Sequence, residues 1–426
     1  MTMRRSTPWV ALLILTGIST IGFIDRIVVN VLVEPVKAEF GLSDSQVSLM
    51  GVAFTALYIV ISLFIARLAE RVRRMSLISF GTLAWSAATA LCGWATGWTN
   101  LLLARIAVGV GEGVGLPALQ SVVTDYYPAH KRGFALSVLM LAPPIGAAVG
   151  FMGGAIIAQE FGWRHTFLVA AVPGVILAVL AWIFIAEPAR GQHDVAARAD
   201  TVPPVRAVLG RLFALPSSRH LVFGSALAAA LGFGLNYFFT SLMIRQFGVG
   251  LGEAGFYAGL IASAPAIVSV LLQGWLADRF GAKNPAAYMY IPAACLVLGG
   301  PLYVLAITRD TLPLLLGLVS VTAFLNFGYL GVTYAALQNL MHPRMRATAS
   351  ALLNSIYAIS GAGGPVVVGL LSDHFAQGQG ATQGLVTAMA VTGALYVWAA
   401  LHYWLAGRRY RADLARTTAE DAAQAA

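Results

Sequence analysis

Four ionisable side chains stand inside otherwise apolar runs of this chain, Asp25 and Arg26 in one and Arg105 and Glu112 in another. A charge held in hydrocarbon costs several kcal/mol, so residues of this kind face a protein interior or a wet cavity and pair with one another. Two acids and two guanidiniums could perform two tasks there: carboxyls could exchange protons, and arginines could hold an anionic group. Glu112 follows Arg105 by two helical turns on the same face. Burial and neighbouring arginines act on such a carboxyl in opposite directions, the balance that proton coupling requires. Asp25 and Glu112 are therefore the proton-coupling candidates, and Arg26 and Arg105 the candidates for binding a substrate anion. A static ion-pair network that fixes helix packing would use the same four residues.

The second half of the chain has no comparable charge. Its apolar runs carry Asn236, Tyr237, Gln273, Asn326, Tyr329, Tyr334, Asn354 and Tyr357. Of these, Asn236, Tyr237, Asn326, Tyr329, Asn354 and Tyr357 are the candidates for substrate contact through shape and neutral hydrogen bonds. Charge and coupling are thus expected in the first half, and fit in the second.

Other chemistries find no support. His130, His165, His193, His220, His342, His374 and His402 all fall in loops or at the ends of apolar runs, and Cys92 and Cys295 are the two cysteines. No metal, cofactor, disulfide or catalytic constellation is expected. Gly109, Gly111, Gly113 and Gly115 follow no strand, so they do not form a dinucleotide loop. Small residues of this kind let helices approach closely. The stripe Ala142, Gly146, Gly150 and Gly154, with Pro143 and Pro144 as a kink, and the group Gly361, Gly363, Gly364, Pro365 and Gly369 read alike. Kinked, small-faced helices also suit surfaces that slide past one another.

The elements that position these residues are membrane spans. Of the 426 residues 58% are hydrophobic and 11% charged, too few charges to cover a soluble surface. Apolar runs near 20 residues place spans at 9–33, 46–69, 75–97, 99–123, 133–157 and 164–186. The second set is 219–245, 253–277, 285–307, 312–338, 346–371 and 383–407. The first run lacks a small-residue cleavage site and continues past Asp25, so it reads as an uncleaved span rather than a signal peptide.

The net charge of +9 does not indicate nucleic acid, because most of the 27 Lys and Arg lie in alternate loops. By the positive-inside rule both termini are cytoplasmic, which requires an even number of spans. The expected fold is an all-α membrane protein of twelve helices in two pseudo-symmetric bundles, 1–186 and 219–411. Residues 187–218 form a linker with an amphipathic helix on the cytoplasmic membrane surface, carrying Val205, Val208, Leu209, Leu212 and Phe213 on one face. Residues 412–426 are expected to be a disordered tail.

An internal repeat supports two halves. Ala66-Arg67-Leu68-Ala69-Glu70-Arg71-Val72-Arg73-Arg74 follows span two, and Gly274-Trp275-Leu276-Ala277-Asp278-Arg279-Phe280-Gly281-Ala282-Lys283 follows span eight. Pro128, Lys131 and Arg132 before span five match Pro343, Arg344 and Arg346 before span eleven. Parallel six-span repeats belong to transporters that rock two bundles about a central site. An acid at a helix end beside arginines can pair with a neighbouring helix in one state and release it in another. That makes Glu70, Arg71, Asp278, Arg279, Lys131 and Arg132 the gating candidates.

The segment Gly274 to Lys283 resembles the loop motif of the major facilitator superfamily, and the resemblance covers the whole chain. In the first copy Ala66, Glu70 and Arg73 depart from the motif's Gly, Asp and Gly. Within the superfamily the chain resembles spinster-like transporters, through Phe23 to Arg26, Arg105 to Glu112, Ser121 to Arg132, Glu160 to Arg164 and Glu187-Pro188. Tyr357 stands where animal spinster proteins carry a His. The resemblance implies alternating-access transport of a small amphipathic or organic anion, of lysolipid or sphingoid type. A sugar acid, another organic acid or a drug is the alternative substrate class. It further implies partners limited to substrate, protons and membrane lipid, a monomer, and a bacterial-type inner membrane.

Overall fold

The computed structural model describes residues 7–69, 72–189, 203–342 and 345–425. All regular structure among them is helical. Contacts divide the chain into two units, Met1–Ala199 with Gly248–Leu260 and Asp200–Phe247 with Ile261–Ala426.

The first unit contains α1 (Pro8–Val31), α2 (Val33–Phe40), α3 (Asp44–Ala69), α4 (Arg74–Gly93), α5 (Trp98–Glu112), α6 (Gly115–Tyr126), α7 (Ala129–Leu139), α8 (Ala142–Phe161) and α9 (Trp163–Phe184). The second contains α10 (Val205–Ala214), α11 (Pro216–Phe247), most of α12 (Leu251–Gly281), α13 (Ala287–Ile307), α14 (Leu312–Phe327), α15 (Tyr329–Leu340), α16 (Arg346–Gln379), α17 (Ala381–Ala394) and α18 (Tyr396–Ala425). Among the described residues, 11 helical stretches are long and apolar enough to cross a membrane. Expected span four, 99–123, is built differently. The chain breaks at Gly113 and Val114, so α5 and α6 share it. Span five likewise breaks between α7 and α8, where Pro143 and Pro144 sit in the first turn of the new helix and cost no interior hydrogen bond.

Small residues set the packing. A Cβ on Gly146 would lie 2.5 Å from the Phe23 Cβ, and one on Gly150 3.1 Å from that of Ile27. The stripe on α8 therefore seats directly on α1. The second unit repeats the arrangement: a Cβ on Gly364 of α16 would overlap the Ala230 carbonyl of α11, and one on Gly234 would lie 2.8 Å from the Gly364 carbonyl. The opening turns of α12, read from sequence as part of the second half, cluster with the first unit. There the Gly252 amide donates to Gln159 Oε1 at 2.7 Å.

Two expectations are corrected. Residues 412–425 are not a disordered tail but the continuation of α18. Asp413 is buried and accepts the Ser217 amide at 2.9 Å, and Asp421 receives both Arg211 amino groups at 2.7 and 3.0 Å. These anchors supply the interactions that an Ala-rich charged composition does not advertise. The amphipathic helix exists as α10, but Val208 and Leu212 are fully buried against protein, so only part of its apolar face remains for lipid.

Candidate functional site

Four helices of the first unit converge on the charged cluster. Helix α1 supplies Asp25 and Arg26, α3 supplies Phe54 and Tyr58, α4 supplies Thr89, and α5 supplies Arg105 and Glu112. The approach is close because Gly109 gives α5 no side chain against α3; a Cβ there would overlap the Phe54 carbonyl. Glu112 is the last residue of α5, where the helix dipole opposes a negative charge. Arg26 compensates. Its Nε and Nη2 both donate to Glu112 Oε2, at 2.8 and 2.7 Å. The Glu112 side chain is 3% exposed and that of Arg26 35%, so the pair is buried at the acid and part-exposed at the guanidinium.

Asp25 and Arg105 are each 1% exposed. They meet through the main chain: Arg105 Nη1 donates to the Asp25 carbonyl at 3.4 Å. The Asp25 carboxylate instead accepts the Thr89 hydroxyl at 3.1 Å. Asp25 Oδ1, Glu112 Oε1 and Arg105 Nε are buried without a hydrogen-bond partner among the described residues. Orphans on both acids mark sites where a proton, a water or a ligand group could bond.

The sequence reading missed the aromatic surround. The Arg26 guanidinium lies 5.4, 5.1 and 5.1 Å from the ring centres of Phe23, Phe54 and Tyr58, and that of Arg105 lies 5.3 Å from Phe54. It also missed a buried hub at the start of α4. Arg74, 4% exposed, donates to Asp125 at 2.5 Å, Glu187 at 2.9 Å, the Ser121 hydroxyl at 2.9 Å and the Pro188 carbonyl at 3.0 Å. Glu187 also caps α4 by accepting the Met75 amide at 2.8 Å. In sequence Arg74 is one of several basic loop residues, and nothing local separates it from Arg73.

The gating candidates divide. Glu70 and Arg71 lie outside the described residues. Asp278 accepts the Tyr288 hydroxyl at 2.6 Å, Arg279 sits over Trp275, and Lys131 is exposed. Arg132 caps the end of α6 through the Thr124 and Tyr127 carbonyls at 3.0 and 3.1 Å. Arg346 does the same for α15, through the Gln338 and Met341 carbonyls at 3.0 and 3.4 Å.

In the second unit, Tyr334 contacts Asn354 at 3.5 Å, and Tyr329 interacts with Tyr357 while meeting Tyr403 edge to face. Tyr357 packs on Phe233. Gln273 spends its amide on Ser269 and the Leu325 carbonyl. Asn326 is 9% exposed, with its Oδ1 unpartnered among the described residues. Tyr237 is buried against Phe238, and Asn236 is half-buried beside it in sequence. His220 and His402, read as unrelated span-end residues, face each other across α11 and α18 at 3.1 Å.

The sequence profile of the Major Facilitator Superfamily matches residues 14–365. An MFS-type efflux pump of Mycolicibacterium smegmatis is 30% identical over 407 residues, spanning 95% of this chain and 94% of the pump. A sphingosine-1-phosphate transporter of Danio rerio is 26% identical over 402 residues, 87% of this chain and 77% of that protein. The crystal structure of a bacterial homologue of the human lysosomal transporter Spinster, inward-facing and unoccupied, superposes with a TM-score of 0.90 at 27% identity, covering 96% of this chain and 99% of that one. Together with the two halves and the motif that ends α12, these matches establish that the chain belongs to the Major Facilitator Superfamily, as a transporter rather than an enzyme, and that it resembles spinster proteins in sequence and structure.

Proposed function

We propose that this protein is a secondary active transporter of a bacterial-type inner membrane, with both termini cytoplasmic. It works by alternating access as a monomer, coupled to protons through Asp25 and Glu112. Its substrate is an amphipathic organic anion, of lysolipid or sphingoid type, whose anionic group is drawn by Arg26 and Arg105. Asn236, Tyr237, Asn326, Tyr329, Asn354 and Tyr357 contribute neutral contacts, and Glu70, Arg71, Lys131, Arg132, Asp278 and Arg279 act in gating. The observation that carries this reading is the Arg26–Glu112 pair, buried at the acid and part-exposed at the guanidinium, with the other Glu112 oxygen buried and unpartnered among the described residues. Protonating Glu112 would weaken its hold on Arg26 and free a cation for an incoming anion; loss of that proton would reverse the exchange.

Likeness to a spinster homologue supports the lysolipid class, and the efflux-pump relative supports a drug substrate as the alternative. Uptake into proteoliposomes under an imposed pH gradient tests the reading, with lysolipids and organic acids as probes. Gradient-driven, saturable uptake by wild type and gradient-independent uptake by Glu112→Gln are expected. Full gradient dependence in both Asp25→Asn and Glu112→Gln would refute coupling through these acids.

A further inference from the structure

Helices α11 and α18 run antiparallel through the second unit, and their open seam carries a polar cluster that transport leaves unused. Contacts at three levels fix the register. The Ser217 amide donates to Asp413 at 2.9 Å, the Nδ1 atoms of His220 and His402 share a hydrogen bond at 3.1 Å, and a Cβ on Gly232 would lie 3.3 Å from the Tyr396 hydroxyl. In the histidine pair one ring donates and the other accepts, so the accepting ring is neutral and keeps its proton on Nε2. The pair therefore offers at least one N–H beyond its own bond. Beside it the seam is apolar: the Phe223 and Trp398 rings lie 6.1 and 6.2 Å from the His402 ring, and both are exposed, as is Leu401. Exposed aromatic and aliphatic side chains within membrane spans are surfaces for acyl chains, with tryptophan favoured at the level of the head groups.

Towards the C-terminal end of α18 the seam becomes basic. Arg219 precedes His220, and Arg409 follows His402 by two turns on the same face of its helix. Both are exposed, and neither makes an ion pair among the described residues. Helix α11 contains no acid, and the first acid of α18, Asp413, is buried and bonded to the Ser217 amide. Arg408, beside Arg409, lies over Trp404 at 5.1 Å. Two helices thus bring unneutralised guanidiniums to the rim of an apolar seam, with the imidazole pair between them.

We propose that the α11–α18 seam is a binding site for an anionic glycerophospholipid of the leaflet on the side of the C-terminus. Its phosphate is held by Arg219, Arg409 and the His220–His402 pair, and its acyl chains lie along Phe223, Trp398 and Leu401. Basic pockets between helices at a membrane surface select anionic head groups. A guanidinium can hold a phosphate through two parallel hydrogen bonds. A phosphatidylcholine brings its own ammonium beside the phosphate, so the arginines meet a charge already compensated; a phosphatidylglycerol brings no such cation. The apolar wall favours a lipid over free phosphate, which has no chain to lay against it. The site depends on the membrane-spanning fold and is independent of the transported substrate and of proton coupling.

Full-length protein in a non-ionic detergent is titrated with phosphatidylglycerol and, separately, with phosphatidylcholine of the same acyl chains, and bound lipid is counted by native mass spectrometry. Phosphatidylglycerol should bind about 10-fold tighter, the effect of one or two basic side chains at a membrane surface. In Arg219→Gln/Arg409→Gln the preference should fall to about 2-fold or less, while Arg219→Lys/Arg409→Lys should keep most of it. Both arginines are exposed, so the thermal midpoint of the glutamine variant without added lipid should match that of wild type. Removing equal charge from other basic loops, in Arg73→Gln/Lys283→Gln, should leave the preference intact. An undiminished preference in Arg219→Gln/Arg409→Gln overturns the site, and so does an equal loss in Arg73→Gln/Lys283→Gln, which would mean attraction to net charge alone. Glycerol phosphate should not displace the lipid; displacement at matched concentration overturns the role given to the acyl chains.

Discussion

Where span four breaks, the chain places Glu112; where span ten breaks, it places Asn326. One offset relates Trp98 to Leu312, Gly115 to Tyr329 and Arg132 to Arg346, the starts of α5 and α14, the starts of α6 and α15, and the two caps. Under that offset Asn326 stands for Glu112, Val319 for Arg105 and Asn339 for Asp125. Glu112 and Asn326 each leave a buried oxygen without a partner among the described residues. The backbone solution is thus common to both units, while the chemistry is not. Charges occupy the first interior, and amides, tyrosines and apolar side chains occupy the same positions in the second. The two units share their helix packing and differ in the side chains at a few interior positions.

That comparison makes ordered predictions. The largest expected difference lies at the start of α4. Arg74→Ala leaves Asp125 and Glu187 without their buried cation and should cost about 3–5 kcal/mol. Tyr288→Phe, which removes the bond to exposed Asp278, should cost about 1 kcal/mol or less. Thermal unfolding in detergent compares them, and similar losses would erase the asymmetry.

Next come the close approaches that the two units share. Gly109→Ala drives a methyl into the Phe54 carbonyl and Gly364→Ala one into that of Ala230. Each should lose about 1–3 kcal/mol. A large loss at one and none at the other would show that the shared packing is only superficial.

Smaller again, Arg132→Ala and Arg346→Ala each remove a cap from two carbonyls. Each should cost about 1 kcal/mol, with Arg132 the larger because Arg346 is more exposed.

The smallest effect belongs to a feature of the first unit alone. Arg164 and Trp163 donate to Glu39, each at 2.6 Å, and hold its carboxyl below its ordinary value of 4.5, chiefly through the Arg164 hydrogen bond. A depressed folded value means that this contribution is complete above the unfolded value and fades as pH falls through the folded one. The gap in thermal midpoint between wild type and Glu39→Gln should therefore be steady at neutral pH and narrow below about pH 4.

Much of this was legible from residue types. Charges inside apolar runs have few places to go, so Asp25, Arg26, Arg105 and Glu112 stood out as a group, and the repeat around Arg132 and Arg346 was visible, though it reads as gating and not as the carbonyl caps that the structure shows. What stayed hidden depends on direction. Phe23, Phe54 and Tyr58 look like ordinary lipid-facing aromatics until α1 and α3 are placed side by side. Arg74 is indistinguishable from its basic neighbours until Glu187, more than a hundred residues later, returns to it. The tail reads as disordered because Ala and charge cannot reveal that Asp413 caps α11 and Asp421 pairs with Arg211. Pairings remote in sequence leave no local periodicity to read.

The central claim is that the first unit carries the proton and the second does not. Protein in liposomes loaded with a trapped pH indicator tests it, with substrate added outside and no imposed gradient. Substrate-driven proton movement should occur in wild type and in Asn326→Ala and should be absent in Glu112→Gln. Proton movement that survives Glu112→Gln but is lost in Asn326→Ala would place the coupling in the wrong half and contradict the account.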